Sequence, residues 1–386
     1  MKRPKVDYVL AGVATFLLFS GMVVVFSASS MVGKFRFGSM TYFFQKQVLW
    51  GFMSFFLMMV FSKIDYRWFN RNSRPLLFVF GSILLLGGLF VFGKNVNGAT
   101  RWYDFKVMRF QPTELAKLSL IIYVSYFLAH RERQLHNVKK GLLPVAVIVG
   151  LSVLLIVAQP DLSSSIMILL IVGTLLFLSP MPLKHLLAVA LPAIPVLVFV
   201  VRRNPYQWER IAGWWQALQN PANAPYQLKQ SLIGIGNGGF WGQGLGQSKQ
   251  KFMFLPDSHT DFIFSILGEE FGFLGVSLIL LAFLLIFYKG IIIARHSPDK
   301  FSMYLATGIT INIVLYAFIN AGVVSALLPT TGLPMPFFSY GGSNLVFLSI
   351  AMGILLNISR FSGKERSWMS RVEKRTDINH VILTAE

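Results

Sequence analysis

Long apolar runs recur along this chain and limit it to a membrane protein. A helix needs about 17 to 25 apolar residues to cross the hydrocarbon core of a bilayer. We place ten such spans, at residues 8–29, 45–62, 75–93, 113–129, 142–158, 164–179, 186–201, 262–288, 301–320 and 342–358. Only 13% of the residues are charged, whereas a soluble domain carries about 25%. The sequence therefore predicts an all-α integral membrane protein with ten transmembrane helices in one domain, residues 1–360, and a basic cytoplasmic tail, residues 361–386.

The formal net charge of +19 would suit a nucleic-acid-binding protein, but its distribution argues against one. With the N-terminus in the cytoplasm, most of the 35 Lys and Arg residues fall at the cytoplasmic ends of the spans, as the positive-inside rule requires. We interpret the basic residues as a topology signal, and we expect their side chains to contact anionic lipid headgroups as well. Both termini are predicted to be cytoplasmic. The first span, of about 20 residues, is longer than the apolar part of a signal peptide and is expected to stay as an anchor.

This topology places half of the 16 acidic residues on the outer side or in the outer half of a span. They are Asp104, Glu114, Asp161, Glu209, Asp257, Asp261, Glu269 and Glu270. Only one histidine, His259, lies on that side, so a zinc site built on histidines is excluded there. The chain has no cysteine, which excludes disulfides, thiolate metal sites and thiol nucleophiles. If the outer face is catalytic, its base must be a carboxylate.

The segment "NGATRWYDFKVMRFQPTELAKL", residues 97–118, leads from a loop into the fourth span. Glu114 and Lys117 are neighbours on one helical face. Their pairing can either fix two helices together or mark a cavity, because ionisable groups inside a membrane are costly. Arg101 suits a diphosphate and Trp102 a sugar face, since guanidinium binds phosphate oxygens in a fork. The same two residues also suit a simple interfacial anchor.

The turn "AQPDLSSS", residues 158–165, joins two spans on the outer side. Gln159 and Asp161 are candidate substrate-binding residues there. Asp161 also fits the N-cap position of the following helix.

The outer loop at about 202–261 is the largest polar part of the chain. Its stretch "NPYQWERIAGWWQALQNPANAPYQLKQSL" predicts an interfacial amphipathic helix. The glycines of "GIGNGGFWGQGLGQSKQK" superficially match a dinucleotide-binding motif but lack the strand–turn–helix context. They permit either close approach of a substrate or sharp turns. Lys249 and Lys251 at the end of this stretch are candidates to bind an anionic headgroup, or are solvated loop cations.

The stretch "FLPDSHTDFIFSILGEEFG", residues 254–272, opens the eighth span. If that helix begins near Asp261, then Ser265, Gly268 and Gly272 share its face. Asp261 would then head a small polar stripe at the mouth of the membrane. Glu269 would flank this stripe, and Glu270 would face away towards a neighbouring helix.

The stretch "LLPTTGLPMPFFSYGGSN", residues 327–344, separates the last two spans. Its prolines and paired glycines forbid a continuous helix. Irregular backbone at membrane depth is tolerated only where it is buried in protein or lines a cavity. We therefore include Ser339 and Gly341 among the candidate substrate-binding residues.

These motifs resemble the SEDS family (shape, elongation, division and sporulation proteins) of bacterial wall synthesis. The resemblance runs from about residue 8 to 360 and rests on "NGATRW", "QPTELAKL", "AQPDLSSS", "YQLKQSL", "GQGLGQSKQKFMFLPDSHTDFIF" and "LPTTGLPMPFFSYGGSN". "GLGQSKQK" and "TTGLPMPFFSYGGS" are closer to the cell-division branch than to the elongation branch. Asp257 is a departure, because the family commonly has Glu after Leu-Pro. The tail after residue 360 matches no pattern of the family.

The resemblance implies a peptidoglycan glycosyltransferase of the bacterial inner membrane that polymerises lipid II into β-1,4 glycan on the outer face, for septal wall synthesis. Lipid II is a disaccharide-pentapeptide carried on undecaprenyl diphosphate. The residue that matches the family's essential aspartate is Asp261. The resemblance also implies a class B penicillin-binding transpeptidase and other division proteins as partners.

The chemistry agrees with these roles. Inverting transfer needs a base for the acceptor hydroxyl, and Asp261 is the candidate. A departing diphosphate needs cations, for which Arg101 ranks first, with Lys117 and Lys249 or Lys251 behind it. A divalent metal, Mg or Mn, between Asp261 and the diphosphate stays open. So do three alternatives: an elongation-branch polymerase, a lipid II flippase or transporter, and a scaffold without catalysis.

Overall fold

A computed structural model describes residues 6–71, 73–96, 99–105 and 109–362. The described chain forms twelve α-helices and three short strands. The helices are α1 (Tyr8–Phe37), α2 (Tyr42–Lys63), α3 (Arg74–Phe92), α4 (Pro112–His130), α5 (Leu143–Ala158), α6 (Leu162–Phe177), α7 (Leu183–Arg203), α8 (Pro205–Gln219), α9 (Tyr226–Gly238), α10 (Ile263–Arg295), α11 (Lys300–Val324) and α12 (Gly342–Phe361). The strands are β1 (Lys94–Val96), β2 (Ala99–Asp104) and β3 (Arg109–Phe110).

Each of the ten apolar stretches predicted from the sequence coincides with a helix. Eight helical segments of the described residues are long and apolar enough to cross a membrane. The two other stretches form α6, which is apolar but shorter, and α4, which carries Glu114 and Lys117. The prediction of a helical, multi-pass membrane protein is confirmed. The predicted tail at 361–386 lies outside the described residues from 363 onwards.

The small sheet between α3 and α4 was not predicted, so the all-α assignment needs correction there. Its strands pair antiparallel in the order β1-β2-β3, with Lys94 opposite Trp102. They contain 3, 6 and 2 residues, too few to show a clear alternation of apolar and polar side chains. A hydrogen bond attaches the sheet to the helix bundle, because the Tyr103 hydroxyl donates to the Leu85 carbonyl of α3 at 2.8 Å.

The helix α10 was predicted as one continuous span, but it is broken at Gly272, where φ is 63° and ψ is −167°. The break frees two carbonyls, those of Glu269 and Glu270. They accept hydrogen bonds from the backbone N–H groups of Gln243 and Gly244, each at 2.9 Å. A Cβ on Gly272 would lie 2.3 Å from the Gly242 nitrogen, so only glycine permits this close approach.

One end of the bundle is closed by two polar segments, residues 204–262 and 326–341, and we call it the capped end. The first segment contains α8 and α9. The helix predicted in this segment is therefore confirmed as α8, and its position at the membrane interface stays a prediction. The core below is centred on α11, whose residues are mostly buried. By contrast, α7 lies at the periphery, where His185 is its one buried residue among those whose side chains are described.

Candidate functional site

Asp261 lies at the capped end, two residues before α10 begins. The three carbonyls of residues 259–261 each accept a hydrogen bond from the far end of the chain. The donors are the Tyr340 backbone N–H at 2.9 Å, the Ser339 hydroxyl at 2.6 Å and the Asn320 side-chain amide at 2.7 Å. These bonds fix Asp261 against α11, and the two residues before it against the irregular segment that precedes α12.

Asn320 was missed in the sequence, although a buried amide in an apolar helix is itself a signal of a polar contact. The residue is 1% exposed. Its Nδ2 also donates to the Leu333 carbonyl at 2.8 Å. One amide group therefore joins the Asp261 backbone to the loop that passes beneath the Asp261 carboxylate.

A second missed residue, Arg210, lies close to the Asp261 carboxylate. Both groups border Gly332, whose φ is +73°. A Cβ placed on Gly332 would lie 3.3 Å from Oδ2 of Asp261 and 3.8 Å from both Nη atoms of Arg210. The described residues include no direct ion pair between the two, so the carboxylate and the guanidinium face a common space that glycine leaves open.

The helix α8 presents Arg210 to this space through one of its faces. Tyr206, Arg210 and Trp214 are spaced by four residues and therefore lie on the same side of the helix. The Trp214 indole donates to the Ala326 carbonyl at 2.9 Å. Arg210 donates from Nη1 to the Thr331 carbonyl at 3.3 Å and from Nη2 to the Tyr206 hydroxyl at 2.6 Å. This face holds α8 against the loop at 326–332.

The surroundings of Asp261 favour its protonated form. Although the residue keeps some exposure, burial raises the pKa of its carboxyl to about 7, and the negative charge of Asp257 adds to this effect. Arg210 and then Arg101 oppose the shift in pKa, and Asp161 supports it. A carboxyl with a pKa near neutrality can accept a proton readily at physiological pH, as a general base must.

His259, two positions before Asp261, is buried beside the Phe43 ring, with centroids 4.7 Å apart, and near the Tyr340 ring, at 5.9 Å. Burial lowers the pKa of its imidazole to about 4, and Arg36 adds to this. The imidazole is therefore neutral at physiological pH. It packs the segment before α10 against α2 rather than supplying charge.

The turn between α5 and α6 contains Gln159 and Asp161, and the structure supports the interpretation of Asp161 as a helix cap. Asp161 caps α6, because its carboxylate accepts from the Ser164 N–H at 3.3 Å and hydroxyl at 2.9 Å. Arg101 donates to the backbone carbonyls of Gln159, at 3.4 Å, and Pro160. The Gln159 side chain turns away and donates to the Leu86 carbonyl of α3 at 2.9 Å. Of these predicted binding residues, Arg101 and Asp161 remain within electrostatic range of Asp261.

The predicted Glu114–Lys117 ion pair forms between buried side chains, with 2.7 Å between Nζ and Oε1. Lys117 also donates to the Tyr316 hydroxyl of α11 and lies 4.1 Å from the centre of that ring. Tyr316 is a partner that the sequence did not reveal. Because these contacts join α4 to α11, they support the structural reading of the pair.

Lys251, predicted to bind substrate, is instead buried in a separate network. Its ammonium donates to the Gly246 carbonyl and lies 3.9 Å from Glu270, which also accepts from the Ser27 hydroxyl of α1 at 2.5 Å. This arrangement speaks against a substrate role for Lys251. Lys249, by contrast, is exposed.

The polar stripe predicted below Asp261 packs against protein. Ser265 donates to the Ser231 carbonyl of α9 at 2.9 Å, and a Cβ on Gly238 would lie 1.9 Å from the Gly268 carbonyl oxygen. The small residues of α10 therefore let α9 approach closely. The helix also begins after Asp261, at Ile263, because the carbonyls of residues 259–261 bond outside the helix.

The remaining predicted binding residues lie on neighbouring elements. Trp102 is partly buried in β2, and Gly341 precedes α12 in an extended conformation with φ of 170°. Ser339 is buried, and its hydroxyl both donates to the Thr260 carbonyl and accepts from the Met335 N–H at 2.7 Å. Ser339 thus holds the loop that carries Asp261.

Comparison with known proteins places this arrangement in a family. The model of the FtsW/RodA/SpoVE cell cycle proteins matches residues 8–364. The chain belongs to this family. It is 38% identical over 355 residues to a probable peptidoglycan glycosyltransferase FtsW of Geobacter sp. (strain M18), covering 92% of this chain and 96% of that one. It is 34% identical over 361 residues to the stage V sporulation protein E of Bacillus subtilis (strain 168), covering 94% and 99% of the two chains.

Solved structures show the same fold. One is a chain of a peptidoglycan synthase complex, studied for the coordination of polymerization and crosslinking, with a TM-score of 0.74, 25% identity and coverage of 93% of this chain and 99% of that one. Another is the rod shape determining protein RodA of Thermus thermophilus, with a TM-score of 0.69, 25% identity and coverage of 93% and 98%. The resemblance to this family inferred from the motifs is confirmed.

Proposed function

We propose that the chain is a peptidoglycan glycosyltransferase that polymerises lipid II into β-1,4 glycan strands, with Asp261 as its general base. The observation that carries the proposal is the setting of Asp261. One hydrogen bond holds its backbone carbonyl and two more hold the two residues before it. Its pKa is raised to about 7, and its carboxylate shares an open space with a cation. The names of the relatives, probable peptidoglycan glycosyltransferases, support the same reaction.

The reaction divides between proton removal and charge stabilisation. The Asp261 carboxylate takes the proton from the acceptor 4-hydroxyl. At the same time the oxygen of that hydroxyl attacks the anomeric carbon of the donor. The bond from that carbon to the diphosphate breaks, with inversion from an α to a β linkage. Diphosphate is a good leaving group, so cations that stabilise its charge replace a strong acid. Arg101 lies within electrostatic range of Asp261 and supplies part of this positive field.

The membrane topology follows from the same assignment. We infer ten transmembrane helices, α1 to α7 and α10 to α12, with both termini in the cytoplasm and the capped end outside. Basic residues near the opposite end, such as Arg67, Arg131 and Lys300, support this orientation. The capped end then meets lipid II in the outer leaflet. We place the protein at the division septum, because its motifs are closer to the cell-division branch of the family and its relatives include proteins named FtsW. We propose a class B penicillin-binding transpeptidase as its partner, because a chain of the same fold belongs to a complex for polymerization and crosslinking.

A divalent metal is not assigned to the site. Within the described residues, no three His, Asp or Glu side chains lie close enough together to hold an ion. If a Mg or Mn ion binds here, Asp261 would be the residue that holds it, and the ion would stabilise the negative charge of the departing diphosphate. The polymerisation rate with and without a chelator of divalent ions measures the contribution of such an ion.

The deciding experiment reconstitutes the purified protein with its transpeptidase partner on labelled lipid II and compares it with Asp261→Ala. We expect glycan polymer from the wild type and none from the variant. Movement of lipid II between leaflets without polymer would support the transporter reading and overturn the enzyme. Normal polymerisation by Asp261→Ala would overturn only the assignment of the base.

A further inference from the structure

The cations named from the sequence are almost all engaged with protein groups. Lys117 bonds Glu114 and Tyr316, and Lys251 bonds Gly246 beside Glu270. Arg101 uses Nε and Nη2 on two backbone carbonyls of the α5–α6 turn. This is the edge of the guanidinium that would otherwise bind two oxygens side by side. Lys249 is exposed, but the cations that act on the Asp261 carboxyl are Arg210 and Arg101. Of these two, Arg210 is the one whose guanidinium edge is not taken up by two backbone carbonyls.

The geometry points to Arg210 of α8 as the residue that binds the diphosphate of the lipid-linked substrate, over Gly332 and beside Asp261. This inference rests on the proposed function for the class of ligand. Arg210 is distinct from the cations predicted in the sequence, because α8 brings it to the site only in the folded chain.

The space itself is the first support. Atoms of Asp261 and Arg210 lie within 3.3 and 3.8 Å of the position that a Cβ of residue 332 would occupy. The two groups nevertheless form no direct ion pair among the described residues. A carboxylate and a guanidinium that are close but unpaired leave room for a ligand beside the guanidinium, and Gly332 is the residue type that keeps this room free.

The donors of Arg210 are the second support. A guanidinium has five N–H donors. The hydrogen bonds of Arg210 are one from Nη1 to the Thr331 carbonyl and one from Nη2 to the Tyr206 hydroxyl, and its guanidinium carbon lies 4.5 Å from the centre of the Tyr206 ring. The Nε hydrogen and one hydrogen on each Nη remain. They suffice for a forked contact with phosphate oxygens, which is the geometry that arginine offers and lysine does not.

The position of α8 is the third support. Arg210 is partly exposed, so a ligand can reach it. The Thr331 carbonyl to which it donates also accepts from the Ser163 hydroxyl at 2.6 Å. One carbonyl thus joins α8, the start of α6 and the loop at 326–332, and this junction orients the guanidinium towards Gly332 before substrate arrives.

Arg210 could instead have the structural role of holding α8 against the loop at 326–332. Trp214→Phe is the matched control for this structural role. This variant removes the other hydrogen bond between α8 and the loop, from the indole to the Ala326 carbonyl, and leaves the charge of Arg210 in place. Lys229→Ala removes an exposed cation of the same segment and controls for the general electrostatic field.

The test measures binding rather than turnover, in full-length Asp261→Asn protein in nanodiscs, so that it does not depend on polymerase activity. The ligands are undecaprenyl diphosphate, undecaprenol and inorganic diphosphate. We expect Arg210→Ala to weaken undecaprenyl diphosphate binding by about tenfold or more, Arg210→Lys by less, and neither to change undecaprenol binding. Trp214→Phe and Lys229→Ala should retain most of the affinity. Inorganic diphosphate should compete with the lipid in the parent protein and lose that ability in Arg210→Ala.

Equal affinity of the parent and Arg210→Ala for undecaprenyl diphosphate would overturn the inference. An equal loss in Trp214→Phe, or a loss for undecaprenol as well, would also overturn it, because both outcomes indicate a structural tie. Thermal unfolding of each variant identifies misfolded protein. If Arg210→Ala is misfolded, Arg210→Lys is compared with the parent protein in its place. Binding of diphosphate through Arg210, together with no polymer from the wild-type protein in the reconstitution, would retain this inference and refute the proposed function.

Discussion

Asp261 and the pair Glu269 and Glu270 are close in sequence but lie in opposite environments in this protein. Glu269 and Glu270 are buried, and Glu269 accepts hydrogen bonds from Ser248 at 2.5 Å, Gln250 at 3.2 Å and Asn237 at 3.4 Å. The Asp261 carboxylate receives no comparable set of donors among the described residues, and only its backbone is held. The comparison shows how one segment separates a structural acid from a reactive one: the first is surrounded by donors, and the second is left free.

The largest expected difference between the two groups is in activity. Asp261→Asn should lower polymerisation about 10²- to 10⁴-fold, because the amide cannot accept the proton. Glu269→Gln should change the rate per folded molecule by no more than a few-fold, since its amide oxygen can still accept a hydrogen bond. Rates on labelled lipid II, normalised to folded protein, check both values. A similar loss in the two variants would contradict the distinction.

The second difference is in stability and has the opposite order. Glu269→Ala should lower the free energy of unfolding by about 2–3 kcal/mol, because it leaves buried donors of Ser248 and Gln250 without an acceptor. Asp261→Asn should not destabilise the fold. The pKa of Asp261 is raised to about 7 in the folded protein, so the unfolded chain loses this proton at lower pH than the folded chain does. The wild type therefore loses stability as pH rises from about 4 to about 7, and the amide escapes this loss. Thermal unfolding in detergent at pH 8 should therefore show Asp261→Asn at or above the wild type.

The third way to sharpen the comparison is to release the Asp261 backbone. Asn320→Ala removes the amide that donates to the carbonyls of Asp261 and Leu333. We expect a loss of about tenfold in kcat, in line with the sensitivity of catalysis to small displacements. Asn312→Ala, on the same helix and also buried, is the control and should have a smaller effect. A positioning role also predicts that the pH midpoint of kcat/KM falls in Asn320→Ala, because the released carboxylate becomes better solvated.

The sequence predicted the fold better than the site, and for physical reasons. Apolar runs identify helices because the bilayer imposes their length, and the Glu114–Lys117 pair follows from helical spacing alone. The break at Gly272 was missed because it depends on the glycine-rich loop that bonds Glu269 and Glu270, a contact between distant segments. Arg210 was missed for the same reason, since nothing near it in sequence indicates that α8 lies over Gly332. The role of Asp261 came from family resemblance, and its surroundings came only from the fold.

The smallest expected effect is a shift of the pH profile, and it tests directly what distinguishes Asp261. A base acts in its ionised form, so kcat/KM should rise with pH through a midpoint of about 7. His259 cannot supply that midpoint, because burial lowers its pKa to about 4. Asp257 raises the pKa of Asp261 through its negative charge, whereas Arg210 and Arg101 lower it and Asp161 raises it. Asp257→Asn removes the larger of the two acidic contributions and should move the midpoint to lower pH by a fraction of a unit. A midpoint that is unchanged in Asp257→Asn, or that rises, would assign the titration to another group.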